Sequence, residues 1–152
     1  MAVQQFVPDE FDIPAGTRNE RFVIEPLRLE HNESDYDAWT SSREHIKATP
    51  GFVGDETWVD LDLSLEDNAD AIARHEKDFR SRNGFAYTVL DGVSLAVIGS
   101  VYLYPPRRDE YDADVRSWVR ADRADLDKPL HDLVRAWLAE SWPFGRPEYA
   151  AR

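Results

Sequence analysis

The sequence predicts an α+β fold in which a mostly antiparallel sheet is flanked by helices, and three observations carry that expectation. Three consecutive β-rich runs, at residues 85–90, 95–104 and 112–119, are separated by short turns, which makes a meander of neighbouring strands rather than a set of crossovers. After them Leu130, Leu133, Val134, Trp137 and Leu138 fall at i, i+3, i+4, i+7 and i+8, the stripe of a helix laid on a sheet. Before them stand two further amphipathic stretches with helix start and stop signals.

Taken in order, residues 1–19 mix Phe6, Val7, Phe11 and Ile13 with acids and prolines, the composition of an irregular arm that packs without forming a regular element. Residues 21–27 (RFVIEPL) are β-branched and aromatic and then broken by Pro26, which suits a short strand at a sheet margin. Asn32 or Ser34 can cap a first helix whose Tyr36, Trp39, Arg43 and Ile46 share a face until Thr49, Pro50 and Gly51 stop it. Residues 58–63 (WVDLDL) alternate and read equally as a short strand or an extended loop. Ser64 then caps a second helix, with Leu65, Ala69, Ile72, Glu76 and Phe79 along one face and Gly84 past its end. The first two runs of the meander meet at Asp91 and Gly92, a pair that supplies the positive φ of a tight hairpin turn. In the third run Ala113, Val115, Ser117 and Val119 share a face. Asp127 is the expected cap of the last helix, and residues 143–152 form a helix-breaking tail.

Composition narrows the function classes. With 152 residues, 42% of them hydrophobic, the chain reads as one domain with one sizeable core. Thirty acidic residues against 18 basic ones give a formal charge of −12, which repels nucleic acid and anionic membranes. The absence of cysteine excludes disulfides and thiolate chemistry, and His31, His45, His75 and His131 show no metal-ligand spacing, so no metal is expected. No apolar run approaches the ~20 residues of a membrane span, nor is there a signal peptide, and a cytoplasmic protein is expected.

The element order, together with ERFVIEPL at 20–27, VIGSVYL at 97–103 and DVRSWV at 114–119, resembles the GNAT-type N-acetyltransferase superfamily, in particular its short bacterial members of the ribosomal-protein-acetylating type. The likeness covers roughly residues 20–142. It implies an acetyl-CoA cofactor whose pantetheine arm adds to a splayed edge between the family's fourth and fifth strands, here at Val101, Tyr102 and Leu103. Gly99 fits such an edge as a mark of close backbone approach, or is a plain packing glycine. The family's pyrophosphate loop depends on glycines at a helix N-terminus, and here the sequence departs from it. Residues 120–129 (RADRADLDKP) contain no glycine and balance three acids against three bases. Arg120 and Arg123 are the candidates for phosphate contact; their other reading is pairing with Asp122 and Asp125. The family also places a strand, a helix and another strand after the cofactor helix, whereas ten residues follow Trp142, so the C-terminal part of the fold is expected to be missing.

Acetyl transfer to an amine needs a base and donors that polarise the thioester carbonyl. The catalytic candidates are His45, Tyr102 and Tyr104, with Glu44, Tyr87 and Asp114 behind them. His45 titrates near neutrality, and Tyr102 and Tyr104 share a strand face. Trp137 is expected in the core, while Trp142 and Phe144 suit a dimer contact that covers the truncated sheet, so a homodimer is expected. The resemblance therefore implies an acyl-CoA-dependent N-acetyltransferase acting on a small-molecule or peptide amine. The glycine-free loop favours the alternative, a non-catalytic ligand-binding or protein-interaction module on the same fold. An acidic partner for a basic protein is a third reading that rests on charge alone.

Overall fold

The three runs of the meander form the centre of the sheet, with both of their faces buried. In the computed structural model, which describes residues 5–54 and 58–152, they become β3 (Phe85–Asp91), β4 (Val97–Tyr104) and β5 (Ala113–Val119). Every residue of β5 is buried. On one side β2 (Phe22–Pro26) and the two-residue β1 (Thr17–Arg18) continue the sheet; on the other β6 (Pro147–Tyr149) completes it, in the order β1-β2-β3-β4-β5-β6. All neighbours are antiparallel except β5 and β6, which run parallel over three residue pairs.

The segment expected to be a bare tail thus supplies a strand, the first of the three elements whose absence the sequence suggested. Among the described residues no further helix or strand follows it. No helix is long and apolar enough to cross a membrane.

Among the described residues four α-helices cover the sheet. α1 (Asn32–Thr40) and α2 (Arg43–Ala48) replace the single helix read from the sequence. The chain breaks at Ser41 and Ser42, where the Ser42 amide bonds to the Trp39 carbonyl and the Ser42 hydroxyl accepts from the Ala121 amide. α3 (Leu65–Arg80) begins as expected at Ser64: its hydroxyl accepts from the Asp67 amide at 3.0 Å, and Asp67 Oδ2 accepts from the Ser64 amide at 2.9 Å, a reciprocal box. Its inward face differs from the expected one, with Leu65 exposed and Asn68 and Ile72 buried. Arg82, not Gly84, takes the left-handed conformation after the helix. Residues Trp58–Asp60 form a 3-10 turn rather than a strand.

α4 (Asp127–Ser141) buries Leu130, Val134, Trp137 and Leu138 against the opposite face of the sheet. It runs straight on from a 3-10 stretch, Ala121–Leu126, so Asp127 is its first residue and not its cap.

At the β3–β4 turn the Asp91 carboxylate accepts from the amides of Val93 and Ser94, and Leu95 carries the positive φ expected at Gly92. Gly92 is needed for room, since a Cβ there would lie 2.5 Å from the Glu20 carbonyl. Gly99 is likewise a close-approach glycine, but what approaches is β5: a Cβ would lie 2.2 Å from the Trp118 carbonyl oxygen.

The arm at 1–19, whose residues 1–4 lie outside the described set, packs on Trp142 and Phe144, the residues expected at a dimer contact. Phe6 stacks on Phe144 at 5.1 Å between ring centroids and Phe11 meets Trp142 at 5.5 Å. Arg82 clamps the arm through the Pro8 and Phe11 carbonyls, each at 2.7 Å. Trp142 is 6% exposed, an interior residue of the α4-side core.

Candidate functional site

The sheet face beneath α1 and α3 is unusually polar for an interior: it carries Tyr102 and Tyr104 from β4 and Asp114 and Arg116 from β5. Above it the helices stand off and leave a cavity of about 470 Å³, within the size range of small-ligand sites. α1 contributes Asp35 and Trp39, α3 contributes Asn68, Ile72 and His75, and the connecting segment contributes Phe52 and Trp58.

Asp35 anchors one end. Its Oδ2 accepts from Asn68 Nδ2 at 3.1 Å, and Asn68 Oδ1 accepts from Trp39 Nε1 at 3.0 Å. Burial raises its carboxyl to about pKa 6, although the Asn68 hydrogen bond and the nearby His31 pull the other way. Tyr102 accepts from Trp118 Nε1 at 3.0 Å, and burial pushes its hydroxyl well above the usual tyrosine range.

At the other end His75 Nδ1 lies 2.7 Å from the Tyr104 hydroxyl, which lies 3.2 Å from Asp78 Oδ2. A carboxylate only accepts, so Tyr104 donates to Asp78 and its oxygen takes the Nδ1 proton of His75. Burial holds the His75 pKa below its usual value, so the ring is neutral and Nε2 is left as an acceptor. On the floor Arg116 pairs with Asp114 at 3.2 Å, Arg107 reaches the same carboxylate at 3.3 Å, and the Arg116 guanidinium lies 5.8 Å from the Phe52 ring centroid.

Of the sequence candidates, Tyr102, Tyr104 and Asp114 line this cavity. His45 sits on α2 away from the lining residues, and Glu44 is exposed beside Lys47. Tyr87 is a core residue whose hydroxyl donates to the Pro14 carbonyl at 2.7 Å. Val101 and Leu103 point into the α4-side core. The open edge expected at Val101, Tyr102 and Leu103 is closed, because β4 pairs with β3 on one side and with β5 on the other through all three residues.

The sheet instead parts between β5 and β6, beyond the last pair, Val115 with Tyr149. There the following residues fold back onto β5. The Arg152 side chain, 4% exposed, donates to the Ser117 carbonyl at 2.9 Å and to Asp127 Oδ2 at 2.6 Å. The Tyr149 hydroxyl lies 2.5 Å from the Ser117 hydroxyl, and its ring meets His131 at 4.3 Å with the planes tilted by 34°. At the start of α4 the Asp127 amide bonds to the Ala124 carbonyl. Arg120 pairs with Asp37 at 2.9 Å and Asp122 at 3.1 Å, and Arg123 with Asp91 at 3.0 Å rather than with Asp125.

Glu25, Glu30 and His31 bring three ligand-type atoms together, but the ring of His31 is already committed. Nδ1 accepts from the Arg28 amide at 3.0 Å, which puts the ring proton on Nε2, 3.1 Å from Glu25 Oε2. A metal ligand needs that nitrogen unprotonated, so the trio does not suit an ion.

The sequence reading missed Asp35, Asn68 and His75. The last two sit with Ile72 at i, i+4 and i+7 of α3, so the polar residues on its inward stripe were a detectable signal.

No protein-family model matches the chain, and no curated protein is similar to it. Solved structures are. The chain is similar to a ribosomal-protein-S5-alanine acetyltransferase from Vibrio fischeri (TM-score 0.67, 11% identity, 91% of this chain and 73% of that one). It is also similar to the microcin C7 self-immunity acetyltransferase MccE in complex with acetyl-CoA and AMP (0.59, 14%, 82% and 67%), and to apo FdhC, a nucleotide-linked sugar GNAT (0.59, 11%, 90% and 72%). The chain has the fold of the GNAT acetyltransferases.

Proposed function

We propose that this chain is a binding member of the GNAT fold that holds a small ligand in the cavity between α1, α3 and the sheet and does not transfer acyl groups from acyl-CoA. The observation that carries this reading is the placement of Arg152. An extended cofactor arm adds to a sheet by bonding to free backbone groups at a parted edge, and the edge that parts in this chain is the outer side of β5. Its Ser117 carbonyl is taken by a buried guanidinium that is also fixed by Asp127.

The phosphate end points the same way. A helix N-terminus attracts phosphate when its first amides are unbonded. Here the preceding 3-10 stretch runs into α4, the third position is Pro129, and both arginines of the loop are held by carboxylates.

Retention of Asp35 supports a role for the cavity. A carboxylate whose pKa is raised by burial weakens the fold at neutral pH, and such groups concentrate at functional sites.

A second reading, an acyl-CoA-dependent N-acetyltransferase, is favoured by one observation: a relative in fold was solved with acetyl-CoA. Free CoA thiol released from acetyl-CoA in the presence of a panel of amines and peptides separates the two. A thiol reagent reads it without background because the chain has no cysteine. The binding reading predicts release no faster than the protein-free blank; turnover that scales with protein concentration overturns it.

A further inference from the structure

We propose that the occupant of the cavity is a small alkylated ammonium ion, quaternary or methylated, seated among Trp39, Trp58 and Tyr102 with Asp35 as its counter-ion. The proposal rests on the reading of the cavity as a ligand site and names the chemistry of the ligand.

Two features of the wall carry it. First, Asp35 is 6% exposed, and among the described residues no lysine or arginine pairs with it. Asn68 donates to one of its oxygens, while a carboxylate offers about four acceptor positions. A buried carboxylate without a cation is costly unless something else supplies the charge.

Second, the rings around it face different directions. Trp39 and Trp58 meet at 70° with centroids 5.4 Å apart, and Phe52 meets Tyr102 at 78° and 6.5 Å. Trp39, Trp58, Phe52 and Tyr102 line the cavity together with Asp35, and a ring face open to it attracts a cation within about 6 Å. The protein's own cations already use these rings: the Arg43 guanidinium lies 4.8 Å from the Trp39 centroid and that of Arg116 lies 5.8 Å from Phe52.

Methyl groups match the apolar part of the lining, which includes Leu27, Leu63 and Ile72; Arg74 and Arg116 also stand on the wall. A primary ammonium would need three acceptors; a quaternary one needs none and relies on charge and contact. A quaternary nitrogen has no lone pair to acetylate, so its capture is recognition rather than the first step of acyl transfer. The net charge of −12 draws cations toward the protein as a whole.

The test compares choline with its neutral carbon isostere, 3,3-dimethylbutan-1-ol, in matched sodium chloride, following tryptophan fluorescence. The proposal predicts saturable choline binding at least about tenfold tighter than the isostere. It also predicts that Asp35→Asn, which removes charge and keeps the acceptor for Asn68, weakens choline about tenfold or more and leaves the isostere unchanged. Trp58→Leu, at a partly exposed wall position, lowers choline affinity more than isostere affinity. Equal affinities for the two compounds, indifference of choline to Asp35→Asn, or saturable binding of neither overturns the proposal. Isostere binding without choline binding would keep the cavity as a ligand site and discard the cation. Turnover of acetyl-CoA would instead overturn the parent reading, whatever choline does.

Discussion

Replacing Asp35 with asparagine should make the protein more stable at neutral pH and leave it unchanged in acid. Burial raises the Asp35 carboxyl from 3.8 to about 6. A rise of about two pKa units, at 1.36 kcal/mol each, means that ionising Asp35 costs the folded state ~3 kcal/mol at pH 8. The sign follows from proton binding. Below pH 4 the group is protonated in both folded and unfolded chains and contributes no difference. Between pH 4 and 6 the folded chain keeps a proton that the unfolded chain has lost, so stability from this group falls as pH rises, and the loss is complete above about pH 7. Other carboxylates run the opposite way: the Asp91 pKa is held down to about 2 by the Ser94 and Val93 amides and by Arg123, so it favours the fold only above acid pH. The difference between the two proteins isolates Asp35. Urea unfolding of both at intervals from pH 4 to pH 8 should give a small gap at the acid end that grows to ~3 kcal/mol in favour of asparagine, half of it reached near pH ~5, between the unfolded and folded values. A gap that does not change with pH would refute the reasoning.

Three further outcomes follow from the packing. Arg152→Ala leaves Asp127 without its partner and should cost about 3 kcal/mol in urea unfolding; an unchanged midpoint would mean that the buried pair does not hold the segment after β6. Gly99→Ala puts a methyl group 2.2 Å from the Trp118 carbonyl and should cost about 1–3 kcal/mol by overpacking, visible as faster amide exchange in β4 and β5. Trp142→Ala should cost about 3–5 kcal/mol and loosen the arm at Phe6 and Phe11, read as earlier proteolysis before Pro14. If the variant instead dissociates a dimer without loss of monomer stability, the arm is not what covers Trp142.

The sequence was most legible where periodicity met burial. The stripe of α4 and the cap at Ser64 follow from spacing and side-chain chemistry, and the structure shows both. The meander survived, with both of its faces buried. What failed depended on distant partners. The break between α1 and α2 is fixed partly by Ser42 accepting from Ala121, 79 residues on. The sixth strand is three residues with a proline at its start, too short for alternation to register. The Asp91–Gly92 turn went wrong in conformation because the glycine answers to Glu20 and not to its own φ. In the site, Tyr102 and Tyr104 were readable from their shared strand face. Asp35 was not, because what distinguishes it is the aromatic wall assembled from α1, β4 and the segment between α2 and α3.

The central claim is that the parted edge of β5 is already occupied by this chain's own residues, and calorimetric titration with acetyl-CoA at moderate ionic strength tests it most directly. The account predicts no saturable heat up to about 1 mM, so that any affinity is weaker than about −4 kcal/mol. Saturable binding at about micromolar concentration, weakened by Arg120→Ala or Arg123→Ala, would contradict it, because it would mean that Arg152 yields its place on Ser117 and that the loop releases its arginines to phosphate.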